Sequence, residues 1–232
     1  MAKVKESIKR EVVVNAPLEK VWDALTKEEH LNKWYTKEAM IDFRVGGKGY
    51  MNHGWGSTSE GVYTEIEPMK RFILQGSDGD FRTITEINEV ENGVKVSIEY
   101  QASFIAEMND SIKENMLFGT GQFLENLKSV YELGLDNREE LWRTWIGITH
   151  TTDQAGIGSE VLTVKEGTSA DKAGLQPGDI ITNLDHNKVY GYESFERLLN
   201  LKDIKEIVIL RVLRDKTEME IKCLVEPYPV AY

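Results

Sequence analysis

The feature that most constrains this fold is one order of elements. A series of strand-like runs leads into a single long helical stretch, Asp110 to Leu133, which ends at Gly134. The runs are Ala39–Val45, Gly49–His53, Gly61–Glu67, Arg71–Gln75, Phe81–Val90 and Val94–Phe104. Turn signals part them at Gly46-Gly47, Pro68, Asp78-Gly79 and Asn92-Gly93, and Asn-Gly between two alternating runs predicts a hairpin. Upstream, Ser7 to Asn15 alternates as a strand. Asn15-Ala16-Pro17 then starts a helix, with Asn15 or Ala16 as cap and Pro17 early, where its missing N–H costs nothing. Val21, Trp22, Leu25, Leu31 and Trp34 form an apolar stripe over two short helices broken near Thr26. A strongly curved antiparallel sheet wrapped over the long helix buries both apolar faces, so the expected class is α+β.

Bulk properties exclude several functions. The chain has 232 residues, room for one large or two modest domains, and 41% hydrophobic residues suffice for buried cores. Met1 to Asn15 alternates charged residues with Ile8, Val12, Val13 and Val14, so no secretory signal is expected there. No segment approaches the roughly 20 apolar residues of a membrane span. The sole cysteine, Cys223, forms no internal disulfide and fits a reducing cytoplasm. It lies in an alternating run and reads as a buried or neutral thiol. Net charge is −11, and residues 1–138 carry 17 Lys and Arg against 23 Asp and Glu. Residues 139–232 carry 11 against 16, so neither half is a nucleic-acid surface.

Gly134 to Glu140 breaks the pattern and reads as a connector, giving domains of 1–136 and 141–228, a linker at 137–140 and a tail at 229–232. Beyond it, Trp145 to His150 reads as a loop entering a strand. Val161–Val164 is a strand, and Ser169 to Gly174 a short helix closed by glycine. Leu175–Leu184 is a turn and strand, and Asp185 to Lys188 a hairpin turn. Tyr192–Leu201 is a helix with Phe195, Leu198 and Leu199 on its apolar side. Ile207–Arg214 and Glu218–Val225 close as a hairpin around Asp215-Lys216.

Both halves resemble known families. The opening Asn15-Ala16-Pro17-Leu18-Glu19-Lys20-Val21-Trp22-Asp23-Ala24-Leu25 resembles that of START-like (SRPBCC, Bet v 1-like) domains. The segments 42–48, 61–71 and 121–128 resemble the activator-of-Hsp-90-ATPase-homologue-like branch, and the likeness covers nearly all of residues 5–134. It implies a helix-grip fold with a cavity for an apolar or amphipathic ligand. Candidate lining residues are Trp34, Tyr50, Trp55, Phe104, Met108, Met116, Phe118 and Phe123. For any one of them, core filling is the plainer reading. Gly119-Thr120-Gly121 inside the long helix implies a kink, an opening into the cavity, or close helix–sheet packing, since each glycine costs about 1 kcal/mol there.

Gly174-Leu175-Gln176-Pro177-Gly178-Asp179-Ile180-Ile181, with Arg143-Thr144-Trp145-Ile146-Gly147-Ile148 upstream, resembles a PDZ domain of bacterial type over about 141–226. Such domains follow trypsin-like proteases in the high-temperature-requirement family; here none precedes it. The expected fold is a PDZ-like β-barrel with two helices. The resemblance implies that backbone amides near Gly147 hold the carboxylate of a C-terminal peptide, which adds as a strand beside the second helix. Trp145, Ile146, Gly147, Ile148, Phe195, Leu198 and Leu199 are then binding candidates. Arg143 either attracts the carboxylate or is a solvated linker charge.

No residues announce catalysis. His30 reads as solvent-facing, His53 as a structural residue near the meander edge, and His150 and His186 as structural. No metal-ligand spacing or nucleophile motif is present, so no cofactor, metal or catalytic residue is expected. The tail Val230-Ala231-Tyr232 carries a PDZ-ligand pattern and is a candidate occupant of its own groove or a neighbour's. The expected function is a non-enzymatic cytoplasmic adaptor, binding an apolar small molecule or a protein client in one half and C-terminal peptides in the other. The alternatives are a START-like enzyme recruited by its PDZ domain and a cochaperone-like protein.

Overall fold

The computed structural model describes residues 6–105, 108–230 and 232. They fall into two compact units. One holds the described residues of 6–108, 116–139 and 230–232, and the other holds 109–115 and 140–229.

In the first unit the elements are β1 (Glu6–Val14), α1 (Leu18–Thr26), α2 (Glu28–Trp34), β2 (Glu38–Ile41), β3 (Lys48–Gly54), β4 (Ser57–Glu67), β5 (Arg71–Gln75), β6 (Arg82–Val90), β7 (Gly93–Ala102) and, from residue 116 on, α3 (Asp110–Leu133), whose first turns belong to the second unit. The strands form one antiparallel sheet in the order β1-β7-β6-β5-β4-β3-β2. The expected apolar stripe is buried in full: Val21, Trp22, Leu25, Leu31 and Trp34 all face inward. Trp34 also donates its Nε1–H to the Ala24 carbonyl at 2.8 Å, which fixes α2 against α1. The break between these helices is Lys27, extended at φ −112°, ψ 134°.

Two local readings are corrected. Pro17 is the N-cap of α1 rather than a residue of its first turn, with φ −58° and ψ 146° and no side-chain cap. Gly93 is the first residue of β7, paired with Val90, and not the centre of the hairpin turn. It is glycine because a Cβ there, at φ +134°, would lie 2.3 Å from the Val14 carbonyl oxygen of β1.

The helix α3 runs unbroken through Gly119-Thr120-Gly121. Thr120 donates to the Met116 carbonyl at 2.8 Å, within the helix. Arg10 donates Nε–H to the Leu117 carbonyl at 3.2 Å, and a Cβ on Gly121 would meet that Nε at 3.9 Å, an ordinary contact. Gly121→Ala is therefore expected to stabilise the unit by about 0.5–1 kcal/mol through helix propensity. Urea denaturation checks this, and a loss of stability would show that the helix needs glycine for close approach.

Residues 136–138 are sewn to the first unit. Arg138, 6% exposed, donates Nη1–H to the Thr36 carbonyl at 2.6 Å and Nη2–H to the Asn32 carbonyl at 2.9 Å. It also forms a bidentate pair with Asp136, whose Oδ1 accepts from Asn126 at 3.0 Å.

The second unit comprises β8 (Thr144–Trp145), β9 (Ile148–Thr152), β10 (Ser159–Val164), α4 (Ser169–Ala173), β11 (Ile180–Leu184), β12 (Asn187–Lys188), α5 (Tyr192–Asn200), β13 (Ile207–Arg214), β14 (Thr217–Leu224) and β15 (Glu226–Pro227). Its main sheet runs β14-β13-β11-β10-β9, with β12 on β11. The sheet is open, with β14 and β9 at its ends, so the expected barrel does not close. Trp145, expected in a loop, belongs to a two-stranded ribbon of β8 and β15. Ile146, Val161, Leu175, Ile181, Phe195, Leu199, Leu210 and Val212 fill a continuous core.

The Gly174–Ile181 turn is held by its buried acid. Asp179 accepts from the Gln176 N–H at 2.9 Å and from Arg214 Nε–H and Nη2–H at 2.6 Å each. Gly178 and Asp179 then bond to both sides of Val161, which ties the turn to β10. Gly174 closes α4 at φ +82°, a left-handed cap that glycine adopts without strain.

Candidate binding sites

The second unit offers a strand edge. β9 pairs with β10 on one side only and stands at the end of the sheet. Asp153 donates to Gly158 at 3.0 Å and the Thr151 carbonyl accepts from Ser159 Oγ at 3.2 Å, so residues 151 and 153 face β10. By strand alternation, Ile148, His150 and Thr152 present their backbone groups on the open side. α5 packs alongside: His150 stacks on Tyr192 at 4.3 Å and meets Phe195 edge-on at 4.9 Å. His150 is held between Ser159 (2.6 Å) and Glu196 (2.7 Å), which makes it a structural element of the groove.

The loop entering β9 turns at Gly147, φ +95°. Its carbonyl accepts from Lys165 N at 2.8 Å, and the Ile146 carbonyl accepts from Ala170 N at 3.0 Å. Among the described residues, the N–H groups of Ile146 and Gly147 donate to no partner. Ile146, Phe195 and Leu199 are buried, and Ile148 and Leu198 pack on the same core while half-exposed. Trp145 sits under Lys165 at 5.3 Å and beside Tyr228 at 6.2 Å. Arg143 pairs with Glu140 at 3.0 Å on the surface, and its backbone N–H donates to Asn200.

The first unit has an aromatic interior with polar groups inside it. Tyr35 stacks on Trp34 at 4.8 Å, lies 4.5 Å from His53 and meets Phe123 edge-on at 5.0 Å. Trp55 approaches Phe123 at 6.2 Å. Tyr100 hydrogen-bonds the Thr120 hydroxyl at 3.0 Å, and burial raises the pKa of both Tyr35 and Tyr100. His53 lies on β3, beside the end strand β2, and is buried at 7% exposure. Its Nε2 bonds Ser59 Oγ at 2.9 Å, while its Nδ1 and the Gln122 Oε1 are buried without a hydrogen-bond partner among the described residues. Burial lowers the His53 pKa to about 4, against a weaker opposing pull from the Tyr35 backbone carbonyl, which lies near the ring without meeting hydrogen-bond geometry at Nδ1.

Of the lining candidates, Trp34, Phe118 and Phe123 are buried; Tyr50, Trp55, Met108 and Met116 are half-buried. Phe104 is exposed and stacks on Phe81 at 6.0 Å. Tyr35 and Tyr100 went unread in the sequence, and Thr120 was read only as part of the Gly119-Thr120-Gly121 segment. His53 had a usable signal, because strand alternation puts it on the same face as buried Met51.

Tyr232, a candidate for the peptide groove, lies elsewhere. Its ring packs on Trp55 at 4.5 Å, beneath Lys37 (5.1 Å) and Arg138 (5.6 Å). A Cβ on Gly54 would lie 2.6 Å from that ring. The thiol of Cys223 is buried and its pKa is pushed up to about 12, which leaves it unreactive. No helix among the described residues is long and apolar enough to cross a membrane.

Residues 144–225 match the PDZ domain family, and residues 15–132 match the family of activator of Hsp90 ATPase homolog 1-like proteins. No curated protein matches the chain. Among solved structures, the Aha1 dimer from Colwellia psychrerythraea is 23% identical over 56% of this chain and 98% of that one, with a TM-score of 0.48. A Chromobacterium violaceum protein is 26% identical over 55% and 98%, TM-score 0.45. A Staphylococcus aureus protein of unknown function is 16% identical over 57% and 97%, TM-score 0.48. With a family match spanning half its length, on a curved antiparallel sheet with a long helix, this chain belongs to the activator of Hsp90 ATPase homolog 1-like family.

Proposed function

We propose that the protein is a non-enzymatic adaptor whose PDZ unit captures the C-termini of partner proteins by strand addition. The observation that carries this is the unpaired edge of β9 beside α5, entered through a Gly147 loop with free amides. A guest strand would satisfy the outward backbone groups of Ile148 and His150. Its carboxylate would take the Ile146 and Gly147 N–H groups, and its last side chain would rest among Ile148, Phe195 and Leu198. Arg143 is already paired with Glu140 and supplies at most long-range attraction.

The helix-grip unit is proposed to receive an amphipathic small molecule. Apolar rings with stranded polar atoms at His53 and Gln122 suit a ligand with one or two polar groups better than a protein client. The lone buried thiol suits action in the reducing cytoplasm.

The test is a fluorescence-polarisation screen of C-terminal octapeptides against the full chain, repeated with each binder amidated at its C-terminus. Amidation should weaken binding by about 10–100-fold, the worth of hydrogen bonds to a charged group. Equal binding of free and amidated peptides would remove the carboxylate loop from the account. Native mass spectrometry of the purified protein tests the small-molecule part, with a retained mass as the expected result.

A further inference from the structure

The open edge of β9 is blocked at its far end by a side chain of the same chain. Glu114 lies in the stretch 109–115 that is compact with the PDZ unit. Its Oε2 accepts from the Thr152 backbone N–H at 2.9 Å and from the Thr151 hydroxyl at 2.7 Å. Its Oε1 accepts from the Thr152 hydroxyl. That hydroxyl is held in place, because Thr152 Oγ1 itself accepts from the Tyr192 N–H at 3.0 Å. Its proton is therefore left for Glu114. Gly191 permits this approach: a Cβ there would lie 2.5 Å from Thr152 Oγ1. One carboxylate thus takes three donors, and one of them is the N–H that β9 turns outward.

We infer that Glu114 is a built-in stop that limits the PDZ groove to about the last four residues of a bound peptide. This rests on the strand-addition reading above. A guest antiparallel to β9, with its carboxylate at Gly147, advances one residue upstream for each residue of β9. The guest residue opposite Thr152 is then about four before its last. Its carbonyl needs the Thr152 N–H that Glu114 already holds. Upstream residues of the guest gain no ladder bond there, and the carboxylate of Glu114 stands in their path. Glu114 therefore sets how much of a partner's terminus is read.

The experiment uses the full chain, octapeptide binders selected from a random C-terminal library, and their acetylated tetrapeptide truncations. For the wild type, each octapeptide and its tetrapeptide should bind equally within about twofold. Glu114→Ala should tighten the octapeptide by about three- to tenfold, the worth of one recovered ladder bond, and leave the tetrapeptide unchanged. Glu114→Gln, which keeps the acceptor but loses the charge, should fall between the two. The Thr152 amide resonance should move in Glu114→Ala, and unchanged tetrapeptide affinity shows that the groove itself is intact. An octapeptide that already outbinds its tetrapeptide in the wild type overturns the proposal, as does a Glu114→Ala variant that changes neither affinity. If no peptide binds either protein, the docking reading fails and takes the stop with it.

Discussion

Gly147→Ala is expected to abolish carboxylate-dependent peptide capture and to destabilise the PDZ unit by about 2–4 kcal/mol. Two independent costs add at this position. The backbone sits at φ +95°, a conformation that L side chains rarely adopt. The new Cβ would lie 2.3 Å from Thr168 Cβ, and this is no flexible side-chain end that can swing away. Thr168 is buried and its hydroxyl donates to the Lys165 carbonyl at 2.6 Å, while Lys165 N–H donates to Gly147. Relief of the clash must therefore open the stitching that aims the loop amides. Gly156→Ala is the control. Its φ is +67° with nothing within 4 Å of the added carbon, so only backbone strain of about 1–2 kcal/mol is expected and binding should persist. Urea denaturation with fluorescence polarisation reads both quantities. A Gly147→Ala protein that binds free and amidated peptides as the wild type does would contradict the assignment.

The helix-grip unit should lose about 2–4 kcal/mol as pH falls from about 6.5 to about 4. The cause is His53, whose burial holds its pKa near 4 in the folded protein against 6.5 for an ordinary histidine. Between these values the unfolded chain binds a proton that the folded chain refuses, so stability rises with pH across this window. Above about 6.5 both states are neutral at this position and His53 contributes no slope. Below about 4 both are protonated and the loss is complete. His53→Gln removes the titrating group and should flatten the curve between pH 4 and 6.5. Denaturation of the two proteins in buffers spanning pH 4–8 makes the comparison, and parallel curves would place the acid sensitivity elsewhere. A ligand that accepts a hydrogen bond from the orphan Nδ1 should raise the His53 pKa and narrow the gap.

What could be read from the sequence was local. β5 (Arg71–Gln75), β13 (Ile207–Arg214) and α3 (Asp110–Leu133) have the expected bounds, because charged or glycine punctuation stands beside a clear period at each end. β4 begins at Ser57 rather than Gly61, since Trp55 and Gly56 turn at φ +47° and +72° and return the strand at once. β8 and β15 escaped because two-residue strands carry no period, and their pairing joins Trp145 to the distant Glu226. The loop entering β9 was legible through Gly147, whose positive φ of +95° suits its identity. The stop at Glu114 was not, because no spacing ties a helical glutamate to a threonine 38 residues on. Nor was the polar side of the helix-grip interior. No local spacing marks Tyr35, Tyr100 and Thr120; only the fold brings the Tyr100 and Thr120 hydroxyls into a hydrogen bond at 3.0 Å.

Arg138 has a consequence for where the helix-grip unit ends. The helix stops at Leu133 and the family match stops at residue 132, yet the last groups this unit needs lie beyond both. The carbonyls of Asn32, in α2, and of Thr36, just after it, accept from the charged Arg138. Asn126, on α3, spends its amide oxygen on the Asn137 N–H at 2.7 Å and its amide protons on Trp34 and Asp136. A protease cut after Gly134 would therefore do more than release a tether. It would strip α2 of its clasp and leave Asn126 half-satisfied in the interior. What looks like slack between two domains is the latch that finishes the first.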